Sequence, residues 1–277
     1  MNTRNSAEDI LLREDKEGAV WLTLNRPDKF NTLSEAMLDR LQEELDAIAV
    51  DPAARCVVIG GTGQGFCAGH DLREMHANAD KAYYQELFHR CSRVMKSIVA
   101  LPVPVIAKVQ GLATAAGCQL VASCDLAIAD PSARFAVSGI NVGLFCSTPA
   151  VALSRNVSAK RAFDMLVSGE FIDADTALDW GLLSGVAHES SLDDAVAGKV
   201  EQILSKSPTA VRYGKAMFHT QREMPLADAY DFASSVMAEN MSSPDALEGV
   251  DAFLKKRKPV WGQVGPWTGR TLERGWD

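Results

Sequence analysis

Two stretches of this chain place small residues where a backbone must come close to something. The first is Gly60–Asp71, GGTGQGFCAGHD, and the second is Gln110–Asp125, QGLATAAGCQLVASCD. Each follows an apolar run of strand-forming residues, Cys56–Ile59 and Val103–Val109. Glycine and alanine leave amide N–H groups unshielded, and glycine also tolerates positive φ. Cys118, Leu120, Val121 and Cys124 recur at helical spacing, which predicts a helix beginning at about Ala115. A helix start offers unpaired N–H groups at a positive dipole end. One N–H from each stretch can then meet at a single oxygen. Such an oxyanion hole is usually the largest single catalytic contribution in acyl chemistry. The residues leave plainer readings open: a tight glycine turn in the first stretch, and a small-residue helix start packed on a sheet in the second. Gly63, Gly65 and Ala68 also fit a dinucleotide fingerprint nominally. That reading needs an immediate helix and then a second strand, whereas the downstream segment Tyr83–Glu86 reads as helix.

FCAGHDL and VQGLATAAGCQLVASCDLAIA resemble the two signature segments of the enoyl-CoA hydratase/isomerase (crotonase) family. LNRPDKFNTLS at Leu24–Ser34 is similar to that family's N-terminal signature, and FLKKRK at Phe253–Lys258 to its C-terminal one. The resemblance runs from about Ile10 to Lys258. It implies an acyl-CoA thioester substrate and enolate chemistry: hydration, isomerisation, decarboxylation or thioester cleavage. It assigns one oxyanion amide to His70 and the other to Ala116. Ala68, Asp71, Leu72, Arg73, Ala115 and Gly117 would line the acyl and pantetheine path. Lys29, Phe253 and Lys256 would meet the adenine and phosphates of CoA, the last two often from a neighbouring subunit. No cofactor is implied beyond the CoA of the substrate, and no metal.

The same resemblance marks departures. Most relatives carry a small or apolar residue at position 70, so the His70 side chain is either a general acid or base or a polar wall. Ala115-Ala116-Gly117 stands where relatives have three glycines; the amide survives if φ is negative, and the added methyl narrows the space. The two glutamates of hydrating relatives map, through Cys118 and Phe135, onto Gln119 and Gly139. The aspartate of dienoyl isomerases maps onto Ser147. Gln119 orients water but takes no proton near neutral pH. His70, Ser138, Asn141, Cys146, Ser147 and Thr148 form no recognisable nucleophile–base pair. Two expectations follow: a family enzyme whose reaction is not standard hydration, or a catalytically silent acyl-CoA-binding protein.

These residues need elements to position them. Ile10–Leu12, Val20–Leu24, Asp125–Ala129 and Arg134–Val137 read as strands. Met37, Leu38, Leu41, Leu45 and Ile48 make a helical stripe that Ser34 can cap, and Tyr83–Ile98 reads as a second helix. Helices dominate from Pro149, with Ser158 and Asp173 as caps and Gly169 and Gly181 as stops. Pattern alone gives an α/β core followed by helices. The resemblance makes this a crotonase-type ββα spiral core over residues 1–200 and a helical C-terminal subdomain over 201–277, assembled as a homotrimer or hexamer. Residues 1–9 are polar and expected to fray. A net charge of −8 argues against nucleic-acid and anionic-membrane partners, so an anionic substrate needs a local basic patch. Six cysteines without a C-x-x-C pair point to buried, reduced thiols, and with no signal peptide in view the expected location is cytoplasmic.

Overall fold

The computed structural model describes residues 9–188 and 190–262. The fraying expected before residue 9 and the end of the helical segment after residue 262 lie outside the described residues. The chain opens with an antiparallel hairpin of β1 (Leu11–Lys16) and β2 (Ala19–Leu24), turned through Glu17 and Gly18 at positive φ. Ser34 caps α1 (Glu35–Val50) by accepting from the Met37 amide at 3.3 Å. The predicted stripe from Met37 to Ile48 is its buried face.

From there the chain winds in three turns, each laying down two strands. β3 (Cys56–Gly61) and β4 (Gly65–Cys67) lead into α2 (Leu72–Ala77) and α3 (Lys81–Ala100). β5 (Val105–Val109) and β6 (Leu112–Thr114) lead into α4 (Ala116–Ser123). β7 (Leu126–Ala129) and β8 (Arg134–Ala136) lead into α5 (Ser147–Leu153) and α6 (Ala159–Ser168). Two short strands, β9 (Ile172–Asp173) and β10 (Gly185–Val186), flank α7 (Ala174–Asp179). The first strand of each pair joins a six-stranded sheet, β1-β2-β3-β5-β7-β10, and the second joins a four-stranded sheet, β4-β6-β8-β9. β1–β2 and β8–β9 are antiparallel and the other pairs parallel. This is the ββα spiral that the resemblance implied.

Alternation along the strands decides which core each residue enters. Val57, Ile59, Val105, Ala107 and Val109 face the main core, with Phe66 and Phe135 from the smaller sheet. Cys56, Val58, Ile106 and Ile128 face the other side, where α8 (Leu192–Leu204) covers them with Val196 and Val200. Burial on both faces is why these parallel strands read as unbroken apolar runs. α8 passes through residue 200, so the boundary proposed there falls inside an element packed on the sheet. α9 (Pro208–Gln221), α10 (Leu226–Met241) and α11 (Pro244–Leu254) complete the described chain.

Helix stops are as expected: Gly169 and Gly181 sit at φ 64° and 85°. Asp173 caps α7 by accepting from the Thr176 amide at 2.8 Å. Ser158 occupies the cap position of α6 but makes no side-chain cap bond, contrary to expectation. All six cysteines are buried and unpaired. Among the described residues no helix is long and apolar enough to cross a membrane.

Candidate functional site

The N-terminal signature is a buckle for the first glycine stretch. Asn31 is fully buried, at 0% exposure. Its Oδ1 accepts from the Arg26 amide at 2.8 Å, and its Nδ2 donates to the Thr62 and Gly65 carbonyls at 2.9 and 2.8 Å. Gln110, which opens the second stretch, donates to the Gly61 carbonyl at 2.6 Å. Both amides therefore satisfy loop carbonyls that burial would otherwise strand. The sequence reading did not single out Asn31, although a lone buried amide beside a glycine loop is a signal that can be sought. The glycine strip continues into β4 rather than a helix, which removes the dinucleotide reading.

β4 and β6 pair in parallel, and this brings the two stretches side by side. Gly69 sits at φ 90°, and a Cβ there would lie 3.2 Å from the Ala116 nitrogen and 3.0 Å from the Ala115 Cβ. Ala116 is the first residue of α4, so its amide is one that the helix leaves without an internal acceptor. The carbonyl of Gly69 accepts from the Leu33 amide at 2.8 Å, and Ala68 donates to the Phe30 carbonyl at 3.0 Å. These bonds fix the strip leading into His70. Gly117 is packed so closely on β4 that a Cβ would lie 2.1 Å from the Cys67 oxygen. The positive φ belongs to Ala115, at φ 51° and ψ −120°, and not to Ala116.

The His70 ring packs against Phe88 with centroids 5.6 Å apart. Its Nδ1 lies 3.3 Å from the Leu33 carbonyl, which can only accept, so the proton sits on Nδ1. Nε2 is then a buried lone pair, without a partner among the described residues. Burial pushes the imidazole below its ordinary pKa, so the ring is neutral near pH 7.

Gln119 is 4% exposed, and its Oε1 likewise has no partner among the described residues. Position 139 lies beside the start of α4, because Thr114 and Ser138 share a hydroxyl hydrogen bond of 2.8 Å. Gly139 is crowded: a Cβ would lie 2.6 Å from the Leu144 oxygen and 2.7 Å from the Cys146 sulfur. Neither position offers a carboxylate.

The other predicted residues divide. Asp71 is engaged locally, capping α2 at the Arg73 amide and meeting Arg26 at 3.7 Å. Leu72 and Arg73 follow it, exposed, at the start of α2. Lys29 lies on the signature turn with Asp28 at 3.8 Å. Phe253 is 82% exposed at the end of α11, so the chain itself does not bring it to the glycine stretches. Lys255 and Arg257 pair with Asp251 and Glu248. Lys256 has no ion-pair partner among the described residues and sits at φ 53°.

A polar cluster that the sequence reading missed ties α9 to the core. Asp125 Oδ2 accepts from Lys215 at 2.7 Å and from the Val105 amide at 2.7 Å, and Oδ1 meets His219 Nε2 at 2.7 Å. Lys215 also donates to the Ile98 and Val103 carbonyls, each at 2.9 Å. Burial opposes charge on Asp125, but the His219 hydrogen bond and the Lys215 ammonium outweigh it and hold the carboxyl below its usual range. Burial pulls Lys215 down in turn, against the attraction of Asp125. We favour the ion pair, because three oxygens surround the ammonium. The cluster borders a groove of about 1010 Å³, which is lined by the second stretch from Gln119 to Asp125.

A family model described as Enoyl-CoA hydratase/isomerase matches residues 14–264. A Xenopus laevis protein named enoyl-CoA hydratase domain-containing protein 3, mitochondrial, is 46% identical over 252 residues, covering 91% of this chain and 86% of its own length. The Homo sapiens protein of the same name is 47% identical over 245 residues, covering 88% and 81%. A solved enoyl-CoA hydratase from Mycobacterium smegmatis gives a TM-score of 0.90 at 56% identity, covering 92% of this chain and 99% of that one. The solved human enoyl coenzyme A hydratase domain-containing protein 3 gives 0.89 at 45% identity, covering 91% and 100%. The cytoplasmic expectation is corrected by these names: relatives from five vertebrates are called mitochondrial.

Proposed function

We propose a function from one premise: the chain belongs to the enoyl-CoA hydratase/isomerase family. It binds an acyl-CoA thioester with the carbonyl oxygen between the amides of His70 and Ala116. The observation that carries this reading is the approach of the Gly69 backbone to the Ala116 nitrogen at the free start of α4. Two converging N–H groups in a site held by buried backbone bonds stabilise an enolate oxygen without reorganising. The acyl group runs on past Gln119 into the groove behind it. Phe253 and Lys256 meet the CoA of a neighbouring subunit in a trimer or hexamer; their exposure in the single chain supports this.

The chemistry is thioester enolate chemistry other than efficient hydration. Gln119 and Gly139 supply neither the general base nor the general acid that hydration requires. The neutral His70 has an Nε2 lone pair without a partner among the described residues and is a side chain able to take a proton. The missing carboxylates equally favour a second reading, a silent acyl-CoA-binding protein. The test is incubation of the purified protein with a panel of acyl-CoA thioesters, with products followed by mass spectrometry. Release or rearrangement of any one ester, lost on His70→Ala, supports an enzyme. Tight binding with every ester recovered intact supports the silent binder. No binding of any ester defeats both.

A further inference from the structure

The groove beside the Asp125 cluster runs along one face of α9. Val211, Gly214 and Phe218 line it at helical spacing. Lys206 and Arg222, which flank α9, line it too, so it extends roughly 20 Å along the helix. Its walls are apolar, and two of their large side chains are left open: Val151 on α5 is 55% exposed and Phe218 is 52% exposed. Apolar side chains of this size around a cavity of about 1010 Å³ call for an occupant.

The last described residues are seated beside one rim of this groove. Trp261 Nε1 donates to the Ser205 carbonyl at 2.9 Å, and Ser205 lies between the lining residues Ile203 and Lys206. The Trp261 ring also covers Gly249 on α11, where a Cβ would lie 3.3 Å from it. The Gly262 amide donates to Asp245 Oδ1 at 2.8 Å. Residues 263–277 therefore continue from beside the rim. The family match stops at residue 264, so the shared fold does not account for them. They carry Val264, Trp267, Leu272 and Trp276, and with Trp261 they hold three of the chain's five tryptophans. An indole is a large apolar surface that gains most when buried. The reach is sufficient: extended chain carries Trp267 about 20 Å from Trp261, and Trp276 about 50 Å.

We propose that residues 263–277 lie in the groove of their own chain, with Trp267 and Trp276 against its apolar walls. Their own chain is favoured over a second copy because the segment starts beside the rim, which keeps its effective concentration there high. The groove is then covered along α9, and an acyl chain entering it at Gln119 has to displace the segment. The cover stands without the acyl-CoA reading, and its failure leaves that reading intact.

The test is maleimide labelling of the full chain carrying Gly214→Cys. Gly214 lines the groove and a Cβ there would meet nothing within 4 Å, so the substitution adds a thiol without displacing a neighbour. The six native cysteines are buried, and the chain without the substitution gives their background rate. A covered thiol reacts only through the opened fraction, so labelling is expected to be roughly tenfold slower than in the same chain carrying Trp267→Ser/Trp276→Ser. Melting curves identify a variant that fails to fold; Val211→Cys and Leu272→Ser/Trp276→Ser then replace the two and must show the same difference. Equal rates with and without the tryptophans overturn the inference. So does protection regained when the Gly214→Cys/Trp267→Ser/Trp276→Ser chain is co-expressed with unsubstituted chains, since the segment would then come from a neighbouring copy.

Discussion

Ala115 carries a Cβ where the backbone favours glycine. At φ 51° and ψ −120° a non-glycine residue is strained by about 1–3 kcal/mol. Ala115→Gly removes that strain but gives the unfolded chain about 0.4–1 kcal/mol more entropy. The expected outcome is a net gain of about 1 kcal/mol, read from urea unfolding midpoints at constant slope. Gly139 carries the opposite lesson. Wild-type protein should hydrate crotonyl-CoA far below the order of 10 s⁻¹ typical of enzymes, read as loss of enoyl absorbance. Gln119→Glu/Gly139→Glu places carboxylates at both positions only by pushing a Cβ against Leu144 and Cys146. The double variant should therefore melt below Gln119→Glu alone, and turnover near 10 s⁻¹ in the wild type would refute the mapping. The sequence has glutamine at 119 and glycine at 139, the positions that the resemblance assigns to the two glutamates of hydrating relatives. It could not make the crowding at 139 plain, because the contacting atoms belong to a loop whose path no local pattern specifies.

Among the elements, α9 depends on one buried carboxylate. Asp125→Asn leaves Lys215 charged and nearly enclosed, a change worth about 3–5 kcal/mol when one partner of a buried pair is removed. A drop in melting temperature with the fold retained is the expected result; a loss under about 1 kcal/mol would mean that the pair is not buried in solution. The carboxyl is held below its ordinary value, which fixes the sign of the pH effect. Its stabilisation is present above the unfolded aspartate value of about 3.9 and is lost as pH falls from there through the lower folded value. The Asp125→Asn melting curve should lack that acid-side loss. The long helices and all the strands of the larger sheet except the two-residue β10 were legible, because burial on one or two faces writes a period or an apolar run. β4 and β6 were not, since three residues rich in glycine and alanine carry neither signal. They read as site and turned out to be sheet as well.

At the scale of the whole molecule, α10 and α11 leave Leu226, Tyr230, Met237, Leu247, Phe253 and Leu254 between 58% and 82% exposed. That much apolar surface on adjacent helices is what a subunit interface would cover. Light scattering is expected to give a multiple of three chains, the assembly implied by the family resemblance, and a monomer at micromolar concentration would refute it. Free CoA should raise the melting temperature of the assembly, less so at high salt or in Lys256→Glu. A salt-independent shift unaltered by that variant would remove the phosphate role of Lys256. The spiral itself was not readable from pattern. Within each turn of the spiral the two strands enter different sheets, so pairing there is between turns and leaves no local trace.

α4 is buried at every one of its eight positions. Its hydrogen-bonded amides can meet solvent deuterium only when the chain opens as a whole, so their exchange rate is a clock for global unfolding. The same helix runs from the proposed thioester end to the groove. A ligand at either end should slow that clock by the factor 1 + [L]/Kd, and a peptide covering it would report occupancy without a label or a turnover assay.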